Sequence, residues 1–253
     1  MPTTPVLIKC CLNGGRSKEQ HPAVPVTPAE LAAAAIAVRD AGAGAVHVHP
    51  RGADGNQSNH PDDIGRAIEA IRAACPGMPV GATTILSLYE NRDTTARLRQ
   101  VERWKVLPDF VSCNWFEDGA VELAELLLSM GIGVEAGLTT VENARAFAEG
   151  AVAGRCVRVL VEVIDREGVD GVATTTAIDA VLDAAGNTAP RLHHGFNLMT
   201  WPVIENAFRI GRDVRIGLED TRVLADGTAA LDNAHLVATA VEMARRIGRE
   251  PIR

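Results

Sequence analysis

Residues 27–51, TPAELAAAAIAVRDAGAGAVHVHPR, contain a helix followed by a strand, and this unit decides the fold. Thr27 is placed to cap a helix over 28–41, because proline occupies the first helical position and a glutamate lies three residues after the cap. Two glycines then separate this helix from the apolar run 45–49, which a proline ends. A short apolar run between such breaking residues predicts a buried strand.

The same alternation of strand and helix continues along the whole chain. The predicted strands are 6–12, 45–49, 80–84, 110–114, 133–136, 157–164, 191–195 and 214–218. The predicted helices are 28–41, 62–74, 93–104, 120–130, 141–149, 174–185, 202–210 and 232–247. Eight such repeats predict an α/β protein whose parallel sheet closes into a single (β/α)₈ TIM barrel domain over 1–253.

An open, doubly wound sheet is the alternative architecture. Such sheets usually carry a glycine fingerprint, G-x-G-x-x-G, after an early strand. The loop after the first predicted strand reads Asn13-Gly14-Gly15-Arg16 and lacks that spacing. The barrel is therefore the favoured prediction.

Composition excludes several classes of function. The formal net charge of −7 argues against a nucleic-acid surface. No apolar stretch approaches the roughly 18 residues that a membrane span requires, and the first residues lack the pattern of a signal peptide. The five cysteines are odd in number and have no C-x-x-C spacing, which predicts reduced thiols in a cytoplasmic protein.

His47 and His49 lie in one predicted strand and are separated by one residue. Side chains alternate across a strand with a period of two, so both imidazoles face the same way. Histidine is the commonest metal ligand, and the pair could bind one ion together. The alternative is that both are buried histidines satisfied by hydrogen bonds.

Further candidates follow from the rule that catalytic groups of such barrels lie at the carboxyl ends of the strands. Glu219, after the eighth strand, is the first choice for a third metal ligand, since two histidines and one carboxylate form a recurrent zinc set. His193 and His194 compete with it, but only one of two consecutive residues can face the pore. Glu135 and Glu162 are further possibilities, although either acid could instead pair with Arg158 or another inward base.

The chain resembles the β-keto acid cleavage enzymes. The resemblance rests on four segments, which are Leu12-Asn13-Gly14-Gly15, Val26-Thr27-Pro28-Ala29-Glu30, His47-Val48-His49-Pro50-Arg51 and Arg215-Ile216-Gly217-Leu218-Glu219-Asp220. It implies a zinc-dependent (β/α)₈ barrel, with another divalent metal as an alternative. Such an enzyme exchanges acyl groups between a β-keto acid and acetyl-CoA, releasing acetoacetate and a new acyl-CoA, and forms a homo-oligomer, here a dimer or tetramer.

The resemblance also implies roles for individual residues. His47, His49 and Glu219 would hold the metal, and Asp220 would act as the base together with Arg215. The strand-end rule selects six expected substrate-binding residues, which are Asn13, Arg16, Thr83, Ser112, Asn114 and Glu135. The resemblance matches three of them, Thr83, Ser112 and Asn114, to positions in the family's own motifs. Arg16 stands near the position of an acid that the founding members use towards the amino group of 3-keto-5-aminohexanoate. We therefore expect a different β-keto acid, one with an anionic or neutral tail.

Two other functions remain open at this stage. The first is a metal-dependent hydrolase or aldolase on the same barrel, because His-x-His near an early strand end also suits amidohydrolases. The second is a non-catalytic, metabolite-binding barrel with a vestigial metal site.

Overall fold

A computed structural model describes residues 4–252 and contains a closed barrel of eight parallel strands. The strands in chain order are β1 (Thr4–Val6), β2 (Ile8–Cys11), β3 (Ala45–Val48), β4 (Val80–Thr83), β5 (Phe110–Asn114), β6 (Gly133–Leu138), β7 (Arg158–Val163), β8 (Arg191–Gly195), β9 (Asp213–Ile216) and β10 (Arg249–Pro251). The barrel consists of β2 to β9 in sequential order, and β9 closes it by pairing with β2. The predicted TIM barrel is confirmed.

Eight α-helices connect or follow the barrel strands within the described residues. They are α1 (Pro28–Ala41), α2 (Pro61–Ala74), α3 (Thr94–Val101), α4 (Ala120–Ser129), α5 (Val141–Ala148), α6 (Gly171–Ala184), α7 (Thr200–Arg209) and α8 (Asn233–Arg246). None of these helices is long and apolar enough to cross a membrane.

Helix α1 has the bounds that its sequence predicts. Thr27 accepts a hydrogen bond from the Glu30 backbone, and the Glu30 carboxylate accepts one in return from the Thr27 N–H. This reciprocal cap satisfies two N–H groups that the first helical turn leaves free. Buried Leu31 and Val38 then anchor the helix, and each such side chain contributes about 1.5–3 kcal/mol through burial.

The strands β1 and β10 were not predicted. They form a separate two-stranded parallel sheet, in which Thr4 pairs with Arg249, so Val6 lies outside the barrel strand to which sequence analysis assigned it. The Arg249 guanidinium links this sheet to α7 by donating hydrogen bonds to the carbonyl oxygens of Pro5 and Phe208. Strands of three residues are too short for a periodic pattern to reveal.

The barrel strands divide their side chains between two environments. Outward residues such as Val111 and Val159 pack in the main hydrophobic core, whereas Phe110 and Leu160 belong to a smaller cluster inside the barrel. Inside the barrel there is also a buried ion-pair cluster, in which Glu135 accepts hydrogen bonds from Lys9 Nζ at 2.5 Å and from Arg158 Nη1 at 2.8 Å. Complete burial of Lys9 and Glu135 makes this pairing necessary for stability.

Candidate metal centre and active site

Three potential metal ligands converge at the carboxyl end of the barrel. His47 lies on β3, His49 directly follows it, and Glu219 lies in the loop after β9. Because β3 and β9 both pair with β2, the two elements stand on either side of one strand. One ligand atom from each residue lies within 4.8 Å of the others, and His49 Nε2 is 3.6 Å from Glu219 Oε2.

Two glycines allow Glu219 to reach this position. Gly217 has a φ of +153°, and a Cβ there would lie 2.1 Å from the carbonyl oxygen of Cys11 on β2. Gly14 has a φ of +52°, and its Cβ would lie 2.3 Å from Cγ of Glu219. Any larger residue would therefore force either the loop or the Glu219 side chain to move.

His49 is held by its own side chain and by its backbone. Its Nδ1 donates to Oε1 of Gln57 at 2.5 Å, which leaves the Nε2 lone pair free on the side of Glu219. The Asn13 side-chain amide donates to the His49 carbonyl oxygen and accepts from the His49 N–H, each at 2.9 Å. Asn13 also donates to the carbonyl oxygen of Pro25. It therefore holds the backbone of His49, a proposed metal ligand, in place.

These residues fit a divalent cation. Arg215 donates to Oε1 of Glu219 at 2.5 Å, while Oε2 of Glu219 and Nδ1 of His47 are buried and have no hydrogen-bond partner within residues 4–252. Buried polar atoms without partners are rare and call for an explanation such as an ion. Ligands at 2.0–2.2 Å around a tetrahedral zinc stand about 3.4 Å apart, so a small contraction of the cluster suffices.

The charge states of the ligands suit the same chemistry. Burial is the main cause that lowers the pKa of His47 well below its usual value, so the imidazole is neutral and able to ligate. Burial alone would raise the pKa of Glu219. The Arg215 guanidinium and the nearby histidines outweigh that effect and hold the Glu219 pKa well below its usual value.

Arg215 and Asp220 form a buried pair beside the ligands. Arg215 Nη2 donates to Asp220 Oδ1 at 2.7 Å, and its Nε lies 3.1 Å and 3.2 Å from the two Asp220 oxygens. Burial raises the pKa of Asp220 above its ordinary value, although the charge of Arg215 opposes the shift. Asp220 is fully buried, and Arg215 stands between it and the cavity.

The adjacent histidines of β8 face opposite ways, as predicted. His193 points outward and its Nε2 lies 3.3 Å from Asp179 on α6. His194 points inward, with Nε2 3.3 Å from Oε2 of Glu162 and Nδ1 3.7 Å from Oδ1 of Asp220. His194 therefore lies between the buried Asp220 and an acid that lines the cavity.

A cavity of about 390 Å³ opens above the three ligands. Of the predicted substrate-binding residues, Thr83, Ser112 and Asn114 line it, from the neighbouring strands β4 and β5. The remaining walls contain residues that sequence analysis did not single out, namely Ile85, Phe116, Thr139, Ile164, Asp165, Phe196 and Asn197. Phe116, Ile164 and Phe196 continue the inward period of two beyond their strands, and that continuation could have identified them.

The structure does not bring the other three predicted substrate-binding residues to this cavity. Asn13 lies behind His49, and Glu135 belongs to the buried ion-pair cluster inside the barrel. The Arg16 side chain folds over the loop after β9, where its Nε donates to the Glu219 carbonyl oxygen at 3.2 Å and its Nη2 to Asn197 Oδ1 at 3.3 Å. Gln57, which orients His49, carried no signal in the sequence because it lies in a loop after β3.

Comparison with curated proteins finds relatives that are named for two activities. The chain is 25% identical over 252 residues to the 3-keto-5-aminohexanoate cleavage enzyme of Fusobacterium nucleatum subsp. nucleatum, covering 92% of this chain and 89% of that protein. It is 36% identical over 83 residues to the 3-oxoadipate:acetyl-CoA acetyltransferase of Cupriavidus necator, covering 32% of this chain and 29% of that protein.

Solved structures share the architecture at low identity. The binary complex of ObcA with oxaloacetate matches with a TM-score of 0.71 at 14% identity, covering 90% of this chain. Our chain spans 65% of the ObcA chain. A type I 3-dehydroquinate dehydratase from Clostridium difficile matches with a TM-score of 0.60 at 10% identity, covering 95% of this chain and 92% of that one. At these identities the matches show the fold.

A match to a family sequence model assigns the chain to a family. The sequence model for the beta-keto acid cleavage enzyme family matches residues 5–181 and 168–253, which together span nearly the whole chain. The matched ranges include His47, His49 and the Gly217-Leu218-Glu219-Asp220 segment. This chain belongs to the β-keto acid cleavage enzyme family.

Proposed function

We propose that this enzyme is a zinc-dependent acyltransferase that converts a β-keto acid and acetyl-CoA to acetoacetate and a new acyl-CoA. The observation that carries the proposal is the convergence of His47, His49 and Glu219 at the base of a cavity, with one Glu219 oxygen buried and unpartnered within the described residues. Two histidines and one carboxylate form a recurrent catalytic zinc set that leaves a position for substrate.

When bound, the metal would polarise the keto and carboxylate oxygens of a β-keto acid as a Lewis acid. The chain's own hydroxyl and amide groups complete the site. Thr83, Ser112 and Asn114 line the wall formed by β4 and β5 and can donate hydrogen bonds to an oxyanion that develops during acyl transfer.

Arg215 and Asp220 are the groups that we propose start the reaction. Asp220 would accept a proton from the α-carbon of the β-keto acid, and its raised pKa makes it a stronger base than an ordinary aspartate. Since Arg215 covers Asp220, the guanidinium has to move aside or turn when substrate binds. Arg215 is held by both Glu219 and Asp220, so it also aligns the base with the metal ligand.

The cavity walls favour a β-keto acid with a neutral tail. Ile85, Phe116, Ile164 and Phe196 present apolar surface, and Glu162 adds a carboxylate that would repel an anionic tail. Arg16, on which the expectation of an anionic tail depended, lies outside the cavity. The Cupriavidus relative is named for 3-oxoadipate, and we propose that the present chain discriminates against that dianion.

The test uses purified, zinc-loaded protein and a matched series of six-carbon substrates. We expect 3-oxohexanoate and acetyl-CoA to yield acetoacetate and butyryl-CoA, with kcat/KM above the values for 3-oxoadipate and for 3-keto-5-aminohexanoate. A reaction that proceeds without acetyl-CoA would instead support the hydrolase or aldolase. Absence of bound metal together with absence of turnover would support the vestigial barrel.

The variant Glu162→Gln tests the proposed discrimination. Removing this charge should raise kcat/KM for 3-oxoadipate and leave that for 3-oxohexanoate within about threefold, since a neutral tail gains little from an uncharged wall. Equal effects on both substrates would refute the electrostatic argument.

A further inference from the structure

A buried ion pair lies behind one wall of the catalytic cavity. Glu117 lies in the loop after β5, and Nη1 of Arg97, on α3, donates to its Oε2 at 2.8 Å. The Arg97 and Glu117 side chains are only 1% and 4% exposed. A buried ion pair is weak evidence for stability, because the desolvation of both charges offsets their attraction. The role of this pair is therefore better judged from its other contacts.

Glu117 accepts hydrogen bonds from two segments that form the cavity wall. The backbone N–H of Leu86, in the loop after β4, lies 3.1 Å from Oε1 and 3.2 Å from Oε2 of Glu117. Nδ2 of Asn114, at the end of β5, donates to Oε1 at 3.4 Å. Asn114 lines the catalytic cavity, and so does Ile85, which directly precedes Leu86. Glu117 therefore joins two neighbouring parts of the wall.

The Glu117 carboxylate also decides which way the Asn114 amide points. Three kinds of donor converge on it, namely a guanidinium, a backbone N–H and a side-chain amide. An ionised carboxylate can only accept hydrogen bonds. The Asn114 amide must therefore turn its nitrogen towards Glu117 and its oxygen away from it.

A second carboxylate would draw the same amide the other way. A Cβ built on Gly137 would lie 2.8 Å from Asn114 Oδ1 and 2.5 Å from Glu162 Oε1, so both oxygens lie on the Gly137 side. Burial alone would raise the pKa of Glu162, but the contact with His194 outweighs that effect and keeps Glu162 ionised. Without an acceptor in the loop after β5, the amide nitrogen of Asn114 would turn towards Glu162.

We propose that Glu117 is a positioning residue that fixes the orientation of the Asn114 amide. The nitrogen of this amide carries two N–H groups. One of them binds Glu117, and the other stays available to a substrate oxygen at the cavity wall. Arg97 in turn holds the Glu117 carboxylate in place. The inference rests on the proposed acyl transfer, in which Asn114 donates to the developing oxyanion.

Glu117→Gln exchanges one acceptor for a donor with almost no change of shape. The new amide oxygen should keep the hydrogen bonds from Arg97 and Leu86, since the new nitrogen cannot face a guanidinium. That nitrogen then faces Asn114, whose amide has to turn its oxygen towards it. We expect kcat for acetoacetate formation from 3-oxohexanoate to fall at least about tenfold, because one donor to the oxyanion is misplaced. KM for 3-oxohexanoate should stay within about threefold, since the lost contact forms in the transition state.

Asp179→Asn is the matched control for the loss of a buried charge. Asp179 lies on α6, where it pairs with Arg191, and it does not line the catalytic cavity. Both Asp179→Asn and Glu117→Gln leave a buried arginine short of a charged partner, so both should lower the urea midpoint of unfolding. Asp179→Asn should nevertheless leave kcat within about twofold of wild type, because it displaces no group at the cavity.

A second variant separates folding from positioning. Arg97→Met combined with Glu117→Met replaces the buried pair by apolar side chains of similar length, an exchange that is often neutral or stabilising. The Asn114 amide then has no acceptor on that side. We expect kcat to fall about tenfold again, although the urea midpoint is retained.

The orientation of Asn114 can also be followed without turnover. In protein containing ¹⁵N-labelled asparagine, the side-chain amide signals of Asn114 are identified by their loss in Asn114→Ala. These signals should shift in Glu117→Gln and stay in place in Asp179→Asn. In the Asn114→Ala background, Glu117→Gln should lower kcat by less than about a further twofold, because both changes affect one contact.

Equal losses of kcat in Glu117→Gln and Asp179→Asn would overturn the assignment of Glu117, and so would unchanged amide signals. A loss of kcat that is undiminished in the Asn114→Ala background would also overturn it. A wild-type enzyme that forms no acetoacetate, while the amide signals shift as expected, would refute the proposed function and still support the control of Asn114 by Glu117.

Discussion

Gln57 controls the orientation of a proposed metal ligand without touching the metal. Its Oε1 accepts from Nδ1 of His49 at 2.5 Å, which fixes the tautomer whose Nε2 faces Glu219. In Gln57→Leu the ring loses this acceptor and can rotate or exchange tautomers. We therefore expect weaker zinc binding with an unchanged fold.

The size of the effect follows from the lost hydrogen bond. Loss of an outer partner of a ligating histidine typically costs 10–100-fold in metal affinity, which is about 1.4–2.7 kcal/mol. Gln57 is half-buried in a loop, so the free energy of unfolding of the metal-free protein should change by less than about 0.5 kcal/mol.

The assay is zinc competition against a chelating dye at fixed pH, with thermal unfolding as the control for folding. Gln57→Glu should retain wild-type affinity or exceed it, because a carboxylate accepts the same hydrogen bond more strongly. A double-mutant cycle with His49→Ala completes the test, since Gln57→Leu should add nothing once the ring is absent. An affinity within twofold of wild type in Gln57→Leu, or an equal loss in the His49→Ala background, would refute this reasoning.

Three further predictions concern separate parts of the molecule. Gly14→Ala places a methyl group against the Glu219 side chain and should lower zinc affinity more than tenfold by competition assay; unchanged affinity would show that Glu219 adapts. Lys9→Met leaves the buried Glu135 short of a partner and should lower the free energy of unfolding by about 3–5 kcal/mol. In urea titrations the double variant Lys9→Met with Glu135→Leu should recover at least half of that loss. Glu30→Gln should destabilise by about 0.3–1 kcal/mol at pH 7. The Lys18 contact and the backbone N–H groups lower the pKa of Glu30 to about 2, so this stabilisation is present above the unfolded-state value of about 4.3 and fades as pH falls towards 2; a difference between the two proteins that is undiminished at pH 2 would contradict the assignment.

Helix caps, apolar runs and chain-breaking residues were sufficient to predict most of the fold from the sequence. The bounds of α1 follow from its capping box and from the glycine after its last residue, which adopts the left-handed conformation. Buried parallel strands are continuous apolar runs, so the eight barrel strands stand out between breaking residues. Predicted and observed bounds of barrel strands and helices differ by at most three residues.

The same rules predicted part of the candidate site. The period of two placed His47 and His49 on one face, and the strand-end rule selected Glu219, Thr83 and Ser112, which meet around one cavity. Those rules depend on which way a side chain points and on where a strand ends, and both can be read from the sequence.

Depth along the barrel and the paths of the loops could not be predicted. Glu135 and Glu162 both point into the barrel from adjacent strands, but only Glu162 reaches the cavity. Glu135 is buried deeper and accepts hydrogen bonds from Lys9 and Arg158. Arg16 follows β2, but its long side chain folds over the loop after β9. Strand stagger and loop conformation set these positions, and neither has a local signature.

The sequence alone therefore determined the closed barrel and the two histidines on one face of its second strand, because periodicity and capping act between near neighbours. Only the tertiary structure decided that Glu219 completes the set, that Gln57 orients His49, and that Arg215 covers Asp220. Only the first of these contacts joins residues from different strand ends, and its distances depend on how eight strands close around one axis. The other two depend on the paths of the loops after β3 and β9.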